Sequence, residues 1–305
     1  MVRKINENYI PAIGEHGILT RGPLSDWWNQ TVPQANPQYR GGSTQGYYVI
    51  AADGTGIFWD NYIPRIGEAV DRGLARYRQS PSRRAEISPQ LLRDAAPLPP
   101  PPGTSVVRLF TRIRPVPEGA HPHNSNLGRD YMWVLADEVR EMLDAGRGGQ
   151  PFEMPRTLVA RLVTFHLVDN VRGQVWAYRP GDVSRARFTA RPVGSDGQVR
   201  RFTFTGEYAK RSSNPPHWTD RGQEGRVEGE FELDAERGKI VRFRALVESQ
   251  AWDQSEQPRN FPPPSGRYPL LTAITEANDE LSQQITPEPA GTGQYYLRPV
   301  LSVRD

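Results

Sequence analysis

The chain has 305 residues, enough for two domains at roughly 100–200 residues each and for a substantial buried core. It carries 38 Lys and Arg against 35 Asp and Glu, and a formal net charge of +3 argues against a nucleic-acid or membrane partner. Cysteine is absent, which excludes disulfide frameworks, zinc–cysteine sites, thiol nucleophiles and dithiol redox chemistry in this sequence. No apolar run approaches the roughly 20 residues of a membrane span. The first residues also lack the apolar stretch of a signal peptide, so the default expectation is a cytoplasmic protein without membrane insertion.

The opening segment, Ile5 to Ile13, reads as a helix end running into a strand. Residues 20–45 hold Pro23, Pro33, Pro37 and the pair Gly41-Gly42, and read as a long loop carrying Trp27 and Trp28. Tyr47 to Ala52 is an apolar run stopped by Asp53-Gly54, the pattern of a buried strand entering a turn, and a short strand follows. Ile63, Ile66, Val70, Leu74 and Tyr77 recur at helical spacing, with Pro64 suited to a first helical turn. Residues 81–105 end in four consecutive prolines, Pro99 to Pro102, which favour stiff polyproline II. The sequence therefore divides into a domain over 1–80, a proline-rich linker over 81–105 and a second domain over 106–305.

The second domain opens with period-two alternation from Val106 to Arg114, the mark of a strand. A loop rich in Pro, Gly and His leads to Gly128. Asp130 to Leu143 reads as a helix with Asp130 as its N-cap, and a further helix starts at Pro155 with Leu158, Leu162 and Phe165 on one face. From Val183 the period is two again. Segments 183–191, 199–208, 224–233 and 239–248, separated by turns, form an antiparallel meander. In the third of these Val227, Phe231 and Leu233 share one face and Glu228, Glu230 and Glu232 the other. In the fourth, Val241, Phe243, Ala245 and Val247 oppose Arg242 and Arg244. Rows of Glu and Arg side by side imply cross-strand pairing on a solvated face. Leu270 to Gln284 reads as a helix, and Tyr295 to Val303 as a last strand.

The stretch Ile5-Asn6-Glu7-Asn8-Tyr9-Ile10-Pro11 resembles a segment of thioredoxin-like proteins, in which a helix ending in asparagine, an aromatic and an aliphatic residue runs into a central strand. Tyr47 to Gly54 resembles the later strand of that fold with its Asp-Gly turn, and the helix over 63–78 its C-terminal helix. The resemblance implies a degenerate thioredoxin-like domain over residues 1–80. The Cys-x-x-Cys pair of the family has no counterpart, and Thr44-Gln45-Gly46 stands where its cis-proline is expected, so the domain implied is redox-inactive.

Three constellations could carry chemistry. His121-Pro122-His123 places two imidazoles one residue apart, and Asp130 and His166 could complete a divalent-metal site with them. His166, Asp169 and Asn170 stand at i, i+3 and i+4 of a helix end, where a carboxylate beside an imidazole suits general-base work. A helix C-terminus capped by Asn170 is the plainer explanation. Arg129, at the start of the helix expected from Asp130, could hold an anionic ligand. Trp27, Trp28, His217 and Trp218 lie in polar surroundings suited to binding a protein partner or a sugar, and Trp176 follows the His166 corner directly. No Gly-x-Ser-x-Gly elbow and no glycine-rich phosphate loop occurs.

The fold class expected is α+β: a small thioredoxin-like α/β part, then a larger domain of helices packed on an antiparallel β-meander. The leading functional expectation is a non-catalytic binding or scaffolding protein that needs no cofactor and acts through a protein partner or self-association. A metal-dependent or general-base hydrolase built on the histidines, and a carbohydrate-binding protein built on the tryptophans, are the alternatives.

Overall fold

A computed structural model describes residues 5, 7, 9, 25–40, 46–51, 53–60, 66–79, 99–171, 178–214, 218–255, 262–283, 285–287, 289 and 294–301. The chain forms two compact units, Met1–Pro97 and Leu98–Asp305. Among the described residues no helix is long and apolar enough to cross a membrane.

The first unit is built on an antiparallel hairpin of β1 (Tyr47–Ile50) and β2 (Gly56–Asp60). Its turn is closed by the Ala51 amide on the Thr55 carbonyl (2.9 Å) and by the Asp53 carboxylate accepting from the Thr55 amide (2.9 Å). Gly54 sits at φ 84°, a conformation that glycine adopts without Cβ strain. Helix α1 (Ser25–Ala35) replaces the loop expected over residues 20–45. Trp28, Thr31, Val32 and Ala35 stand at i, i+3, i+4 and i+7 and are buried. Pro33 masks this pattern in the sequence, yet it lies on the exposed face of the last turn, where its missing N–H removes one bond.

Helix α2 (Ile66–Gln79) lies on the other face of the hairpin. The Trp28 ring meets Tyr48 at 4.6 Å, whereas a Cβ on Gly73 of α2 would fall 2.5 Å from the side chain of Val49. Tyr48 and Val49 are neighbours in a strand and point to opposite faces. Arg72 and Arg76 of α2 stack over Phe58, the cross-strand partner of Val49. The Tyr9 hydroxyl donates to the Val70 carbonyl. The strand expected after Tyr9 lies outside the described residues.

The second unit is an eight-stranded, wholly antiparallel sheet in the order β4-β3-β10-β9-β8-β7-β6-β5. Its strands are β3 (Ser105–Ile113), β4 (Gly128–Val134), β5 (Phe152–Glu153), β6 (Val183–Asp196), β7 (Val199–Asn214), β8 (Trp218–Asp234), β9 (Lys239–Ser255) and β10 (Arg267–Glu276). The meander from β6 to β10 closes on the β3–β4 hairpin. The chain must therefore pass from β4 at one edge to β5 at the other. Helix α3 (Ala136–Ala145) makes that crossing, and helix α4 (Arg156–Arg161) with a π-helical turn, Leu162–His166, stands between β5 and β6 in the chain. They bury Val139, Met142, Leu158 and Leu162 against the inner face of the sheet. There Phe202, Phe231 and Phe243 occupy one cross-strand row, with stacked rings 4.8 and 6.1 Å apart. Each such side chain contributes about 1.5–3 kcal/mol by leaving water.

Four sequence expectations are corrected here. Gly128–Val134 is strand β4, so Asp130 caps no helix. Asp130, Met132 and Val134 alternate with Arg129, Tyr131 and Trp133 at period two, and α3 begins after Leu135, whose amide is taken by the Glu138 carboxylate at 2.9 Å. Arg267–Glu276 is strand β10, in which Tyr268, Leu270, Thr272 and Ile274 point inward; among the described residues of the expected helix, only Glu280–Gln283 (α5) is helical. Gln294–Leu297 (α6) is a helical turn where a strand was expected from Tyr295. Finally, Leu233 pairs with Ile240 while Glu232 pairs with Arg242, which leaves Val241 as the extra residue of a bulge. Ile240 is buried in its place and Val241 is 40% exposed.

Candidate functional site

His166 ends the π-turn and is fully buried. Its Nδ1 lies 2.7 Å from Asp130 Oδ2 on β4, and its Nε2 lies 2.9 Å from the Tyr296 hydroxyl of α6. The Trp133 amide donates to that same hydroxyl (3.3 Å). Every proton is used if Tyr296 donates to Nε2 and the neutral imidazole donates from Nδ1 to the carboxylate. Both ring nitrogens are thus engaged, and Asp169 is not the partner expected for His166. The helix ends at His166, and Asp169 turns away to accept from the Val171 amide (3.2 Å) and the Tyr268 hydroxyl (2.6 Å). Asn170 turns likewise and donates to the Arg129 carbonyl (3.3 Å). Arg129 is exposed on edge strand β4, so the helix start expected at Asp130 to make an anion site is not formed there.

A buried ion pair adjoins this network. Arg161, fully buried, meets both oxygens of Glu138 at 2.9 and 2.8 Å, and it also donates to the carbonyls of Trp133, Tyr296 and Leu297. Both backbone groups of Trp133 are therefore satisfied by side chains, the carbonyl by Arg161 and the amide by Tyr296. An edge strand presents unpaired backbone groups, and here polar side chains rather than a further strand take them up. The His166–Asp130–Tyr296 set closes a sheet edge. The His166 ring is buried, with Nδ1 held by Asp130 and Nε2 by Tyr296.

Away from the phenylalanine rows, the inner face of the sheet turns polar. Lys210 of β7 is buried, and its ammonium donates to the carbonyls of Val163 (2.7 Å) and Leu167 at the end of the π-turn. The ring of Tyr178 lies 4.1 Å from this nitrogen and 4.1 Å from the Arg221 guanidinium of β8. Burial, then the Arg221 charge, hold the Lys210 amine well below its ordinary pKa. Burial pushes the Tyr178 phenol up to about 12. Gln223 donates to the Tyr208 hydroxyl (2.7 Å) and to Ser249 (3.0 Å), which in turn donates to the Leu270 carbonyl (2.9 Å). The sequence reading missed Lys210, Arg221 and Gln223. A signal was present: Lys210 is one of three lysines in the sequence and extends the inward row Phe202, Phe204, Tyr208 at period two.

The remaining candidates are dispersed. The rings of His121 and His123 stack at 5.2 Å, and the His121 Nδ1 accepts from the His123 amide (3.3 Å). His166 is held elsewhere by Asp130 and Tyr296, and among the described residues no group of three or more His, Asp or Glu is assembled as metal ligands. Trp28 is buried in the first unit, and Trp27 donates to the Gly54 carbonyl (3.2 Å), so α1 packs the pair instead of displaying it on a loop. Trp176 and His217 lie outside the described residues, as does the side chain of Trp218 on β8.

The outer face of the sheet carries the charge rows expected. Arg242 meets Glu230 at 3.0 Å and Glu232 at 3.7 Å, Arg201 meets Glu232 at 3.8 Å, and Arg185 meets Glu207 at 3.7 Å. On β3, β10 and β9 the pattern changes. Phe110, Ala273 and Leu246 are cross-strand partners in one apolar row. The row on one side is Arg112, Leu271 and Glu248, and on the other Arg108, Thr275 and Arg244. Leu246 is 39% exposed at the margin of this patch. No protein-family model, curated protein or solved structure matches the chain.

Proposed function

We propose that the chain is a non-catalytic binding protein that docks a protein partner on the outer face of its large sheet. The observation that carries this reading is the apolar row Phe110–Ala273–Leu246 on the outer face, with Leu246 exposed and Phe110 and Ala273 half-buried, beside strands that carry rows of Glu and Arg. An apolar centre with an arginine-rich margin is the composition of a protein-docking patch. The burial of His166 weighs in the same direction: its carboxylate partner is Asp130 rather than Asp169, and its Nε2 is held by the Tyr296 hydroxyl.

The first unit is read as a redox-inactive thioredoxin-like domain. In support, α1, the β1–β2 hairpin with its Asp53-Gly54 turn and α2 follow one another with the helices on opposite faces, and the sequence holds no cysteine.

The test is affinity capture from extracts of the source cells on immobilised wild-type chain, Leu246→Asp and Thr205→Asp, a control on the same face. A partner retained by wild type and by Thr205→Asp but lost by Leu246→Asp is the expected result. Identical retention by all three would overturn the reading.

A further inference from the structure

We propose that the patch centred on Ala273 binds a polypeptide segment that presents an apolar side chain flanked by carboxylates. This inference rests on the outer face being the docking surface. Ala273 is the smallest side chain of the apolar row and leaves a shallow seat between Phe110 and Leu246, its partners on the flanking strands. With neighbouring strands about 4.8 Å apart, those two backbones stand roughly 10 Å from each other, room for one aliphatic side chain. Arg112 flanks the seat on one side, and Arg108 and Arg244 on the other. Arg244 is exposed and forms no ion pair with any described residue, although Glu230 is its cross-strand partner. Arg108 is half-buried and already meets Asp279 at 3.6 Å, and Arg112, half-buried, lies in the row that ends in Glu248. Exposed Arg244 is therefore the guanidinium best placed for bidentate pairing with an incoming carboxylate, with Arg112 beside the seat as the second cation.

Two other occupants fit less well. A phosphodiester backbone needs a continuous cationic track, and Glu228 and Glu230 of β8 interrupt it beside Leu246 and Arg244. A second copy meeting this patch with its own would bring arginine rows against one another.

The experiment measures fluorescence anisotropy of a labelled peptide with a leucine between two pairs of glutamates, titrated with the full chain. Companion peptides replace the glutamates by glutamine or lysine, or the leucine by serine. Saturable binding of the glutamate peptide is expected, weakened at least tenfold by glutamine, by serine and by Arg244→Glu. Ala273→Leu fills the seat and should weaken binding similarly. The double change Arg112→Glu with Arg244→Glu should transfer preference to the lysine peptide, a gain that misfolding cannot produce. Equal binding of the glutamine peptide that Leu246→Asp abolishes would overturn the acidic preference while leaving the docking surface standing. No binding of any peptide, or binding indifferent to every one of these variants, would overturn the proposal. So would an oligothymidine that binds at this patch while the glutamate peptide does not.

Discussion

The Lys210 ammonium lies 2.7 Å from the carbonyl oxygen of Val163, so a strand of the sheet caps the end of the π-turn packed on it. Helix ends leave carbonyls without intrahelical partners, and a buried end must find donors elsewhere. A lysine supplies them at the cost of placing an amine where water does not reach. Stability should therefore depend on pH in a way specific to this residue. The folded amine has a pKa below its unfolded value of 10.5, so the unfolded chain binds the proton more readily between the two. The penalty is fully present below the folded pKa and fades as pH rises towards 10.5, with a slope of up to about 1.4 kcal/mol per pH unit. Wild type should gain stability relative to Lys210→Met between pH 7 and pH 9.5, as read by urea unfolding. Parallel profiles would mean that Lys210 does not titrate as described.

The Glu138–Arg161 pair makes a sharper demand. Both side chains are buried, and Arg161 also serves three backbone carbonyls. Removing one partner strands the other charge, so Arg161→Leu should cost about 3–5 kcal/mol. Adding Glu138→Leu should recover part of that loss, because the orphaned carboxylate disappears. Denaturant unfolding of the two single variants and the double variant gives the coupling. Strict additivity would show that the pair does not act as a unit.

Tyr296→Phe tests whether the His166 set is an edge closure. The change removes the hydroxyl between His166 Nε2 and the Trp133 amide and leaves two buried polar groups without it. The expected cost is about 1–3 kcal/mol, together with faster hydrogen exchange at the Trp133 amide. Unchanged exchange there would place the loss elsewhere.

Much of the second unit was legible because its strands are long and alternate at period two. The charge rows followed from that alternation and appear as cross-strand pairs such as Arg242 with Glu230. What misled was apolar density. Tyr131 to Val134 and Leu270 to Ile274 are rich in apolar residues, and a dense run fits a helix or a buried strand equally well. Only the sheet order, with β10 filling the gap between β3 and β9, decides between them. The site was less legible still. Sequence places Asp130 with His166 only as a possible metal co-ligand, while the general-base pattern points to a carboxylate within one helical turn; the partners Asp130 and Tyr296 stand 36 and 130 residues away.

The bulge at Val241 offers a test of register that needs no ligand. Strict alternation puts Val241 on the inner face with Phe243 and Val247. The structure instead buries Ile240, 8% exposed, and leaves Val241 40% exposed. A shift by one residue moves a side chain to the opposite face, so the two positions should differ sharply when truncated. Ile240→Ala removes buried methyl groups and should cost about 2 kcal/mol or more. Val241→Ala touches a solvated position and should stay within about 0.5 kcal/mol of wild type. The reverse order, read by denaturant unfolding, would show that the strand runs through this point without a bulge. Arg242 faces outward in either case, beside Glu230 and Glu232, so the contrast between Ile240 and Val241 is what separates the two registers.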